Sequence, residues 1–391
     1  MYSSNTYRST QAQNNILDIM QNTPLNPLTF NNTITLNQMG KLDKNYPILL
    51  VDTSYWLYYR FFALRNWYSR AFPDLVASKP NFNLEHNWLE DEIFCNKYKK
   101  LFIDNIKSIC KQYKTVLTNV VFCIDCPHKD IWRLEKYKDY KGTRLDSHRK
   151  NEFNAYNLFT YIKKIYIPQL QLLYGVKYIY NNKCEADDII GVFAPFLISN
   201  GFCNGNGNGN VNSVYILAND NDYLQICNDN IKMITGLLSK RDGSVLKSEK
   251  CLGEKYLIKK ILIGDSSDNI KCCSANYSFL ETGIIDDALQ TNKLCIYKNI
   301  YKHIANNIID SDIAIGNATD NATDNATGDS TKYNILKDRL YKIRSGIIKS
   351  SDDKEINFIK NFYENTILMD FQMIPKKLKN ELLHKFMNYL A

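Results

Sequence analysis

The sequence has no long hydrophobic run, and it lacks the patterns that would suggest disulfides or secretion. No apolar segment approaches the roughly 18 residues of a membrane-spanning helix, so we expect no membrane partner. The eleven cysteines are an odd number without framework spacing, and the chain opens without a basic and apolar secretory leader. These features predict a protein of a reducing, intracellular compartment: the cytoplasm, the nucleus or a viral replication site.

The sequence also argues against a zinc site and against a glycine-rich phosphate loop. Cys123-Ile-Asp-Cys126 has the spacing of a zinc knuckle, but the chain offers no second such pair, and its five histidines are far apart. The glycine-rich residues 205–209 precede a predicted strand, whereas a phosphate-binding loop follows a strand and opens a helix. We therefore interpret them as a loose surface loop.

Positive charge exceeds negative charge in a chain that is long enough to bury a full core. The 391 residues are 45% hydrophobic and carry a formal net charge of +8. Many acidic residues are nonetheless gathered in a few short segments, so the positive charge must lie elsewhere on the surface. This separation is typical of proteins that bind a polyanion. We expect the protein to be a monomer.

Composition divides the chain into three parts. Residues 1–45 are rich in Asn, Thr, Gln and Ser with few charges, which predicts a disordered polar tail. Residues 46–270 have the pattern of an α/β core that is interrupted by a flexible insert at 203–211. Residues 271–391 predict a C-terminal helical region that contains a low-complexity loop at 314–331.

Three short apolar runs define the predicted fold, and each of them ends on an aspartate. The runs lead into Asp52, Asp125 and Asp220. Runs rich in Val and Ile without polar alternation suit strands that are buried on both faces of a parallel sheet. The predicted fold is therefore α/β, with a mostly parallel central sheet and helices on both faces. The other predicted elements are helices at 56–67, 91–113, 151–173 and 258–263, a strand at 176–180, and irregular structure at 68–90.

The strand-end aspartates are joined by further acidic segments. Ligands bind at the carboxyl ends of parallel strands, so we expect these acids to converge on one crevice. Like charges share a pocket when strong cations lie among them, and oxygen-only ligands favour Mg²⁺ or Mn²⁺, here two ions. Taken singly, the acids at 185–188 also fit plain helix capping, and the later pairs fit turns. The nine candidate metal ligands are Asp52, Asp125, Glu185, Asp187, Asp188, Asp220, Asp222, Asp265 and Asp268.

A basic segment follows the second predicted strand. Residues 128–150 contain eight lysines and arginines against four acids, with Trp132, Tyr137 and Tyr140 interleaved. Basic residues that alternate with aromatic rings suit contact with phosphates and unpaired bases. The alternative is a solvated helix face, which mixed charge runs often form.

Together these segments resemble the 5'-nuclease superfamily, which includes flap endonucleases, the 5'-nuclease domains of bacterial DNA polymerases and phage RNase H. The resemblance runs from about residue 48 to 375 outside the inserts. After Asp268 the sequence lacks the family's glycine-rich helix-hairpin-helix turn, and phage RNase H members look similar there. The matching motifs are Leu50-Val-Asp52, Asp125 with Arg133 and Tyr140-Lys141-Gly142-Thr-Arg144, Glu185-Ala-Asp187-Asp188, Asn219-Asp220-Asn-Asp222-Tyr-Leu-Gln225, and Gly264-Asp265-Ser-Ser-Asp268-Asn269-Ile270.

The resemblance implies a PIN-like core with a helical arch at about 128–165, beneath which the family threads a single-stranded 5' end. It implies a structure-specific 5'-3' nuclease that acts near 5' ends, at flaps, nicks and RNA primers, in DNA replication or repair. The implied partners are DNA with 5' single strands or flaps, RNA–DNA hybrids and replication proteins, with region 271–391 gripping duplex. By this likeness the catalytic residues are Lys141, Arg144 and Arg133, and the nucleic-acid-binding residues are Arg133, Lys136, Tyr140, Lys141 and Arg144.

Two other functions fit parts of the pattern. A PIN-like ribonuclease shares a carboxylate-lined α/β core, but it is normally smaller and lacks the arch and the Gly-Asp-Ser-Ser-Asp motif. A catalytically silent nucleic-acid scaffold would be expected to have lost carboxylates, whereas every carboxylate that the family uses is present.

Overall fold

The computed structural model describes most of the predicted core and two C-terminal helices. The described ranges are 41–78, 81–142, 154–202, 213–235, 253–273 and 353–390. Predictions about residues 1–40, the insert at 203–211, the loop at 314–331 and Arg144 therefore lie outside the described residues.

The described chain alternates strands with helices, which is the order expected of an α/β protein. The strands are β1 (Ile48–Asp52), β2 (Val120–Ile124), β3 (Lys177–Tyr180), β4 (Val214–Leu217) and β5 (Ile231–Ile234). The α-helices are α1 (Thr53–Ala71), α2 (Pro73–Ala77), α3 (Phe82–Glu85), α4 (Glu92–Gln112), α5 (Arg133–Lys136), α6 (Tyr156–Tyr161), α7 (Ile167–Tyr174), α8 (Ala186–Ser199), α9 (Gly253–Ile263), α10 (Asp353–Met369) and α11 (Lys376–Leu390). A π turn covers Ile162–Tyr166, and 3₁₀ turns cover Leu117–Asn119, His128–Asp130, Asn221–Gln225, Ser266–Asp268 and Phe371–Met373.

The five described strands form one parallel sheet in the order β3-β2-β1-β4-β5. This confirms the predicted parallel α/β fold. Strand order reverses between β1 and β4, and ligands of open α/β sheets bind outside such a reversal. Asp52 is paired in register with Cys123, so the carboxyl ends of β1 and β2 lie side by side.

Helices cover both faces of the sheet, as predicted. On one face α8 and α11 pack against strand residues such as Leu50 and Ile216. On the other face α1, α4, α6 and α7 cover residues such as Leu49 and Phe122. Because both faces of each central strand are buried, the strands need no polar positions, which explains their unbroken apolar runs.

Aspartate side chains begin two of the long helices. Asp52 Oδ1 accepts a hydrogen bond from the Tyr55 amide at 3.0 Å, so α1 starts directly after β1, earlier than predicted. Asp91 Oδ1 accepts the Phe94 amide at 2.8 Å and begins α4, the helix predicted at 91–113. The cap at Asp52 matters for the site because it fixes the carboxylate at the end of β1.

One helical segment changes its hydrogen-bond register just before a proline. Between α6 and α7 the Ile167 amide donates to the Ile162 carbonyl, a bond that spans five residues instead of four. Pro168 has no amide hydrogen, so the α-helical bond of its position is missing, and the chain accommodates one extra residue there. The described part of the helix predicted at 151–173 therefore consists of α6, the π turn and α7.

Several predicted boundaries are wrong. The segment at 68–90, predicted to be irregular, contains the end of α1 and the short helices α2 and α3. Strand β5 is absent from the predicted elements. Leu42 was expected in the polar tail, but it is buried, and its amide donates to the Tyr389 carbonyl at 2.9 Å.

Two C-terminal helices complete the described core. Leu382 and Phe386 of α11 are fully buried, and the Phe386 ring stacks on the ring of Phe193 in α8. Helix α10 packs against α9 and against the 3₁₀ turn at Phe371–Met373. Among the described residues, no helix combines the length and the apolar composition needed to cross a membrane.

Candidate active site

Two aspartates at the ends of neighbouring strands are held by protein donors. Asp52 Oδ2 accepts a hydrogen bond from the Tyr223 hydroxyl at 3.0 Å. Asp125 Oδ1 accepts the Ala186 amide at 2.8 Å, and its other oxygen accepts the Ser54 hydroxyl. Burial, reinforced by the negative charge of Asp125, raises the pKa of Asp52 to about 8. Asp52 therefore needs a nearby cation in order to be ionised at neutral pH.

Three acids at the start of α8 form the first acidic cluster. Oxygens of Glu185, Asp187 and Asp188 lie within 4.8 Å of one another. The Glu185 amide donates to Asp188 Oδ2 at 3.0 Å, so Asp188 also has the capping role that the sequence left open. Burial would raise the pKa of Asp187, but the charges of Arg133 and Lys141 hold it below its ordinary value. The cluster thus keeps an ionised carboxylate beside two cations.

Arg133 and Lys141 neutralise the first acidic cluster. Arg133 Nη2 lies 2.7 Å from Asp188 Oδ1, and Arg133 Nη1 lies 3.3 Å from Glu185 Oε2. Lys141 Nζ lies 2.5 Å from Glu185 Oε1 and 3.8 Å from Asp268 Oδ2. Although burial disfavours its charge, the surrounding negative groups raise the pKa of Lys141 well above its ordinary value, so the ammonium stays protonated.

Two residues of the basic segment that were predicted to bind nucleic acid are buried beside the acids. Arg133 is 1% exposed and Tyr140 is 2% exposed, so neither presents a face to nucleic acid in this arrangement. Arg133 pairs with acids instead, and the Tyr140 hydroxyl donates to Glu185 Oε2 at 3.0 Å. Lys136 is exposed on α5, where a phosphate backbone has access to it.

Asp222, Asp265 and Asp268 form the second acidic cluster, with oxygens that lie within 4.8 Å of one another. Asp265 Oδ1 accepts the amide and the hydroxyl of Ser267 at 2.8 and 2.6 Å. Lys260 Nζ lies 3.0 Å from Asp265 Oδ2 and also contacts Asp222. Burial alone would raise the pKa of Asp265, but Lys260 and the Ser267 hydrogen bonds lower it.

The loop that carries Asp265 and Asp268 requires a glycine at its start. Gly264 has a φ of +78°, a conformation that other residues rarely adopt, and a Cβ there would lie 2.6 Å from the Ile270 carbonyl oxygen. The Asp265 and Ile270 backbones pair in an antiparallel bridge, which closes the loop. The closed loop brings both carboxylates to the second acidic cluster.

Asp220 completes the set of nine acids. Its Oδ1 accepts the Asp222 amide at 2.9 Å, which fixes the turn after β4. Burial raises the pKa of Asp220; Lys260 opposes this shift and the charge of Asp187 adds to it. The Tyr223 hydroxyl joins Asp52 to the turn that carries Asp220 and Asp222, and Lys141 joins Glu185 to Asp268, so these acids share one region at the carboxyl edge of the sheet.

Four residues of this region were not predicted from the sequence. Tyr223 and Ser54 orient the strand-end aspartates, and Trp132 Nε1 donates to Asp188 Oδ2 at 3.0 Å. Lys260 lies within the second acidic cluster. The one sequence signal for Lys260 is a basic residue on the helix that leads into an acidic turn; Tyr223 lies inside an acidic motif, but nothing in that motif indicates its contact with Asp52.

A family model described as the 5'-3' exonuclease, N-terminal resolvase-like domain, matches residues 47–261. Because this match covers more than half of the chain, the protein belongs to the 5'-3' exonuclease family. The family resemblance of the sequence motifs is thereby confirmed.

Two curated relatives are the 5'-3' exonucleases of Buchnera aphidicola subsp. Acyrthosiphon pisum (strain APS) and subsp. Schizaphis graminum (strain Sg). They are 28% identical over 235 residues and 30% identical over 234 residues. Each match covers 58% of this chain and 65% of the relative, so the chain spans just under two thirds of the length of these relatives.

Solved structures of phage T5 proteins are also similar to this chain. T5 5'-exonuclease with bound zinc ions is 13% identical with a TM-score of 0.48, and the match covers 88% of this chain and all of that one. A bacteriophage T5 flap endonuclease in a pseudo-enzyme–product complex with DNA and metal ions is likewise 13% identical with a TM-score of 0.48, over 88% and 99% of the two chains.

Proposed function

We propose that this protein is a divalent-metal-dependent 5'-3' nuclease that hydrolyses phosphodiester bonds near the 5' ends of DNA. One observation carries the proposal: Lys141 Nζ lies 2.5 Å from Glu185 of the first acidic cluster and 3.8 Å from Asp268 of the second. The two clusters therefore lie on either side of one lysine, close enough to act on a single phosphate.

The donor set fits hard divalent cations. Each cluster offers three carboxylate oxygens within 4.8 Å of one another, and no histidine or thiolate belongs to either group in the described part of the chain. Carboxylates without nitrogen or sulfur ligands suit Mg²⁺ or Mn²⁺. We propose one ion for each cluster, held by Glu185 and Asp187 in the first and by Asp222, Asp265 and Asp268 in the second.

The protein's own groups then have distinct tasks. Bound divalent cations supply an activated water and stabilise the leaving oxygen in this type of hydrolysis. Tyr223 and Ser54 fix the rotamers of the strand-end carboxylates Asp52 and Asp125. Lys141 holds a positive charge between the clusters, where it stabilises negative charge that develops on the scissile phosphate.

The proposed substrates are DNA flaps, nicks and RNA-primed ends, in replication or repair. The name of the family supports action at 5' ends, and the net charge of +8 supports binding to a polyanion. We assign phosphate contact outside the acidic clusters to Lys136, which is exposed on α5. Arg144, from the basic segment, is assigned to the same task by its position in the motif.

A labelled-flap assay tests the proposal. Wild-type protein should release the labelled 5' end of a DNA flap in Mg²⁺ and should not do so in EDTA. Asp187→Asn should abolish release, because it removes a carboxylate oxygen from the first acidic cluster. Asp104→Asn is the matched control, because Asp104 lies on α4 and is partly exposed beside Lys107. A wild type that cleaves RNA and leaves DNA ends intact would favour the ribonuclease alternative.

A further inference from the structure

The segment that ends α10 contacts three parts of the site. They are Arg133 beside the first acidic cluster, the turn Asn221–Gln225, and the ends of the loop that carries Asp265 and Asp268. This segment, residues 365–371, is called here the α10 end. It lies beyond the family match, which stops at residue 261. Asn365, Met369 and Phe371 of the α10 end are all less than 5% exposed. Its contacts therefore belong to the interior of the protein.

The first contact joins the α10 end to the first acidic cluster. Arg133 Nε donates to the Leu368 carbonyl at 2.7 Å. The same guanidinium holds Asp188 at 2.7 Å and Glu185 at 3.3 Å. A planar guanidinium that is bound on both edges has little rotational freedom. The position of Leu368 thus sets the position of the cation beside Glu185.

The second contact joins the α10 end to the turn that carries Asp220 and Asp222. Gln225 Nε2 donates to the Asp222 carbonyl at 2.9 Å and to the Met369 carbonyl at 3.0 Å. Gln225 Oε1 accepts the Phe371 amide at 3.2 Å. One amide side chain therefore uses both of its ends to hold the 3₁₀ turn Asn221–Gln225 against the α10 end.

The third contact joins the α10 end to the loop that carries Asp265 and Asp268. Asn365 Nδ2 donates to the Ile261 carbonyl at 2.8 Å and to the Lys271 carbonyl at 2.8 Å. These two carbonyls lie on either side of the acidic loop in sequence. Asn365 therefore holds the two ends of the loop together from outside.

Close packing supports the same arrangement. A Cβ placed on Gly191 of α8 would lie 2.5 Å from Phe371 Cγ, so α8 and the ring of Phe371 are in contact only because residue 191 is glycine. Helix α8 carries the first acidic cluster at its amino end. The α10 end thus packs against the helix that bears that cluster as well as binding to Arg133.

We propose that Gln225 and Asn365 are positioning residues of the metal site, and that the α10 end sets the spacing of the two acidic clusters. This rests on the proposed function, since it assigns a task within the same site. Groups that orient metal ligands through hydrogen bonds commonly affect metal affinity by about 10- to 100-fold when they are replaced. Gln225 and Asn365 bind backbone carbonyls of the segments that carry the proposed ligands, so they would orient the ligands through the backbone.

The test compares three isosteric or near-isosteric replacements in the full chain. Gln225→Met and Asn365→Leu remove the contacts of the α10 end. Asn119→Leu is the matched control, because Asn119 is fully buried and donates to the Asp43 carbonyl at 2.8 Å and the Tyr46 carbonyl at 3.1 Å, at the opposite edge of the sheet. All three variants lose buried hydrogen bonds, so all three should have a lower melting temperature.

Two readouts separate positioning from general stability. Hydrogen exchange of the amides at 220–225 and 264–273 should become faster in the Gln225 and Asn365 variants and stay unchanged in the Asn119 variant. The affinity for Mn²⁺, measured by titration calorimetry, should fall at least about 10-fold in the first two variants alone. Unchanged exchange and unchanged Mn²⁺ affinity in both variants would overturn the inference.

The same measurements distinguish this inference from the proposed function. A wild type that binds no Mn²⁺ would overturn the proposed function and, with it, the metal-positioning role. A wild type that binds Mn²⁺ and cleaves the flap, beside variants that lose stability only as the Asn119 variant does, would overturn the inference alone. If Gln225→Met fails to fold, the Asn365→Leu variant decides, because it tests the same segment at a different loop.

Discussion

Lys260 Nζ lies 3.0 Å from Asp265 Oδ2, and the same ammonium contacts Asp222. The lysine thus occupies the second acidic cluster much as Lys141 occupies the first. Each group of acids that fits a divalent cation is already neutralised in part by a lysine that is tethered to the protein. A cation that enters either cluster must displace or rearrange this ammonium.

Lys260→Met tests the role of this tethered charge. Removing it leaves largely buried carboxylates without their partner, so we expect a loss of about 3–5 kcal/mol in the free energy of unfolding in EDTA. The gain in melting temperature on adding Mg²⁺ should be larger than in wild type, because no ammonium competes with the ion. Thermal unfolding with and without Mg²⁺ measures both effects. Lys100→Met, at an exposed position of α4, is the control and should leave the Mg²⁺ response unchanged.

Asp52→Asn should change the pH dependence of stability. The pKa of Asp52 is raised from 3.8 to about 8 by burial and by Asp125, so the folded protein keeps a proton that the unfolded chain releases. The contribution of Asp52 to stability therefore falls as pH rises from about 4 to about 8. In EDTA the variant should melt at a higher temperature than wild type at pH 8, with a much smaller difference at pH 4. An equal difference at both pH values would contradict the raised pKa.

Lys141→Ala should lower the rate of cleavage more than it lowers binding. The lysine lies between the two acidic clusters, so its loss removes charge stabilisation from the transition state, and we expect kcat to fall by about 100-fold or more. Lys136→Ala should instead weaken DNA binding and reduce the salt slope by about one charge, with kcat nearly unchanged. Single-turnover rates and binding at several salt concentrations separate the two. Arg144→Ala should reduce the salt slope as well.

Gly191→Ala should destabilise the protein through a single contact. The added methyl group would lie 2.5 to 2.9 Å from three ring atoms of Phe371, and overpacking of this kind typically costs about 1–3 kcal/mol. In a Phe371→Leu background the cost should be much smaller, because the ring that the methyl group meets is gone. A double-mutant cycle from urea unfolding gives this coupling energy. A coupling energy near zero would show that α8 and the α10 end adjust independently.

The structural features that the sequence predicts best are those that depend on a local pattern of residues. Asp52 and Asp125 were predicted at one site because buried parallel runs end there, and carboxyl ends of parallel strands share an edge. The Lys260 contact was missed because it depends on how α9 packs against a turn that is distant in sequence. Arg133 was predicted to bind nucleic acid because charge is visible in a sequence and burial is not. The same limit applies to Tyr140, whose hydroxyl binds Glu185.

Because a π turn joins α6 to α7, a change of one residue in the length of this segment would alter the orientation of α6 relative to α7. Each residue of an α-helix rotates the next by about 100°, so the extra residue at Ile162–Tyr166 changes which face of α6 meets the sheet. Leu158 before the turn, Ile162 at its first position, and Ile167 and Leu170 after it all belong to the same core on one face of the sheet. Deleting one residue of the turn would rotate α6 by about 100° relative to α7 and so move Leu158 away from its present core contacts. A one-residue deletion in the turn should therefore lower the melting temperature more than a substitution of its exposed Lys164 by alanine.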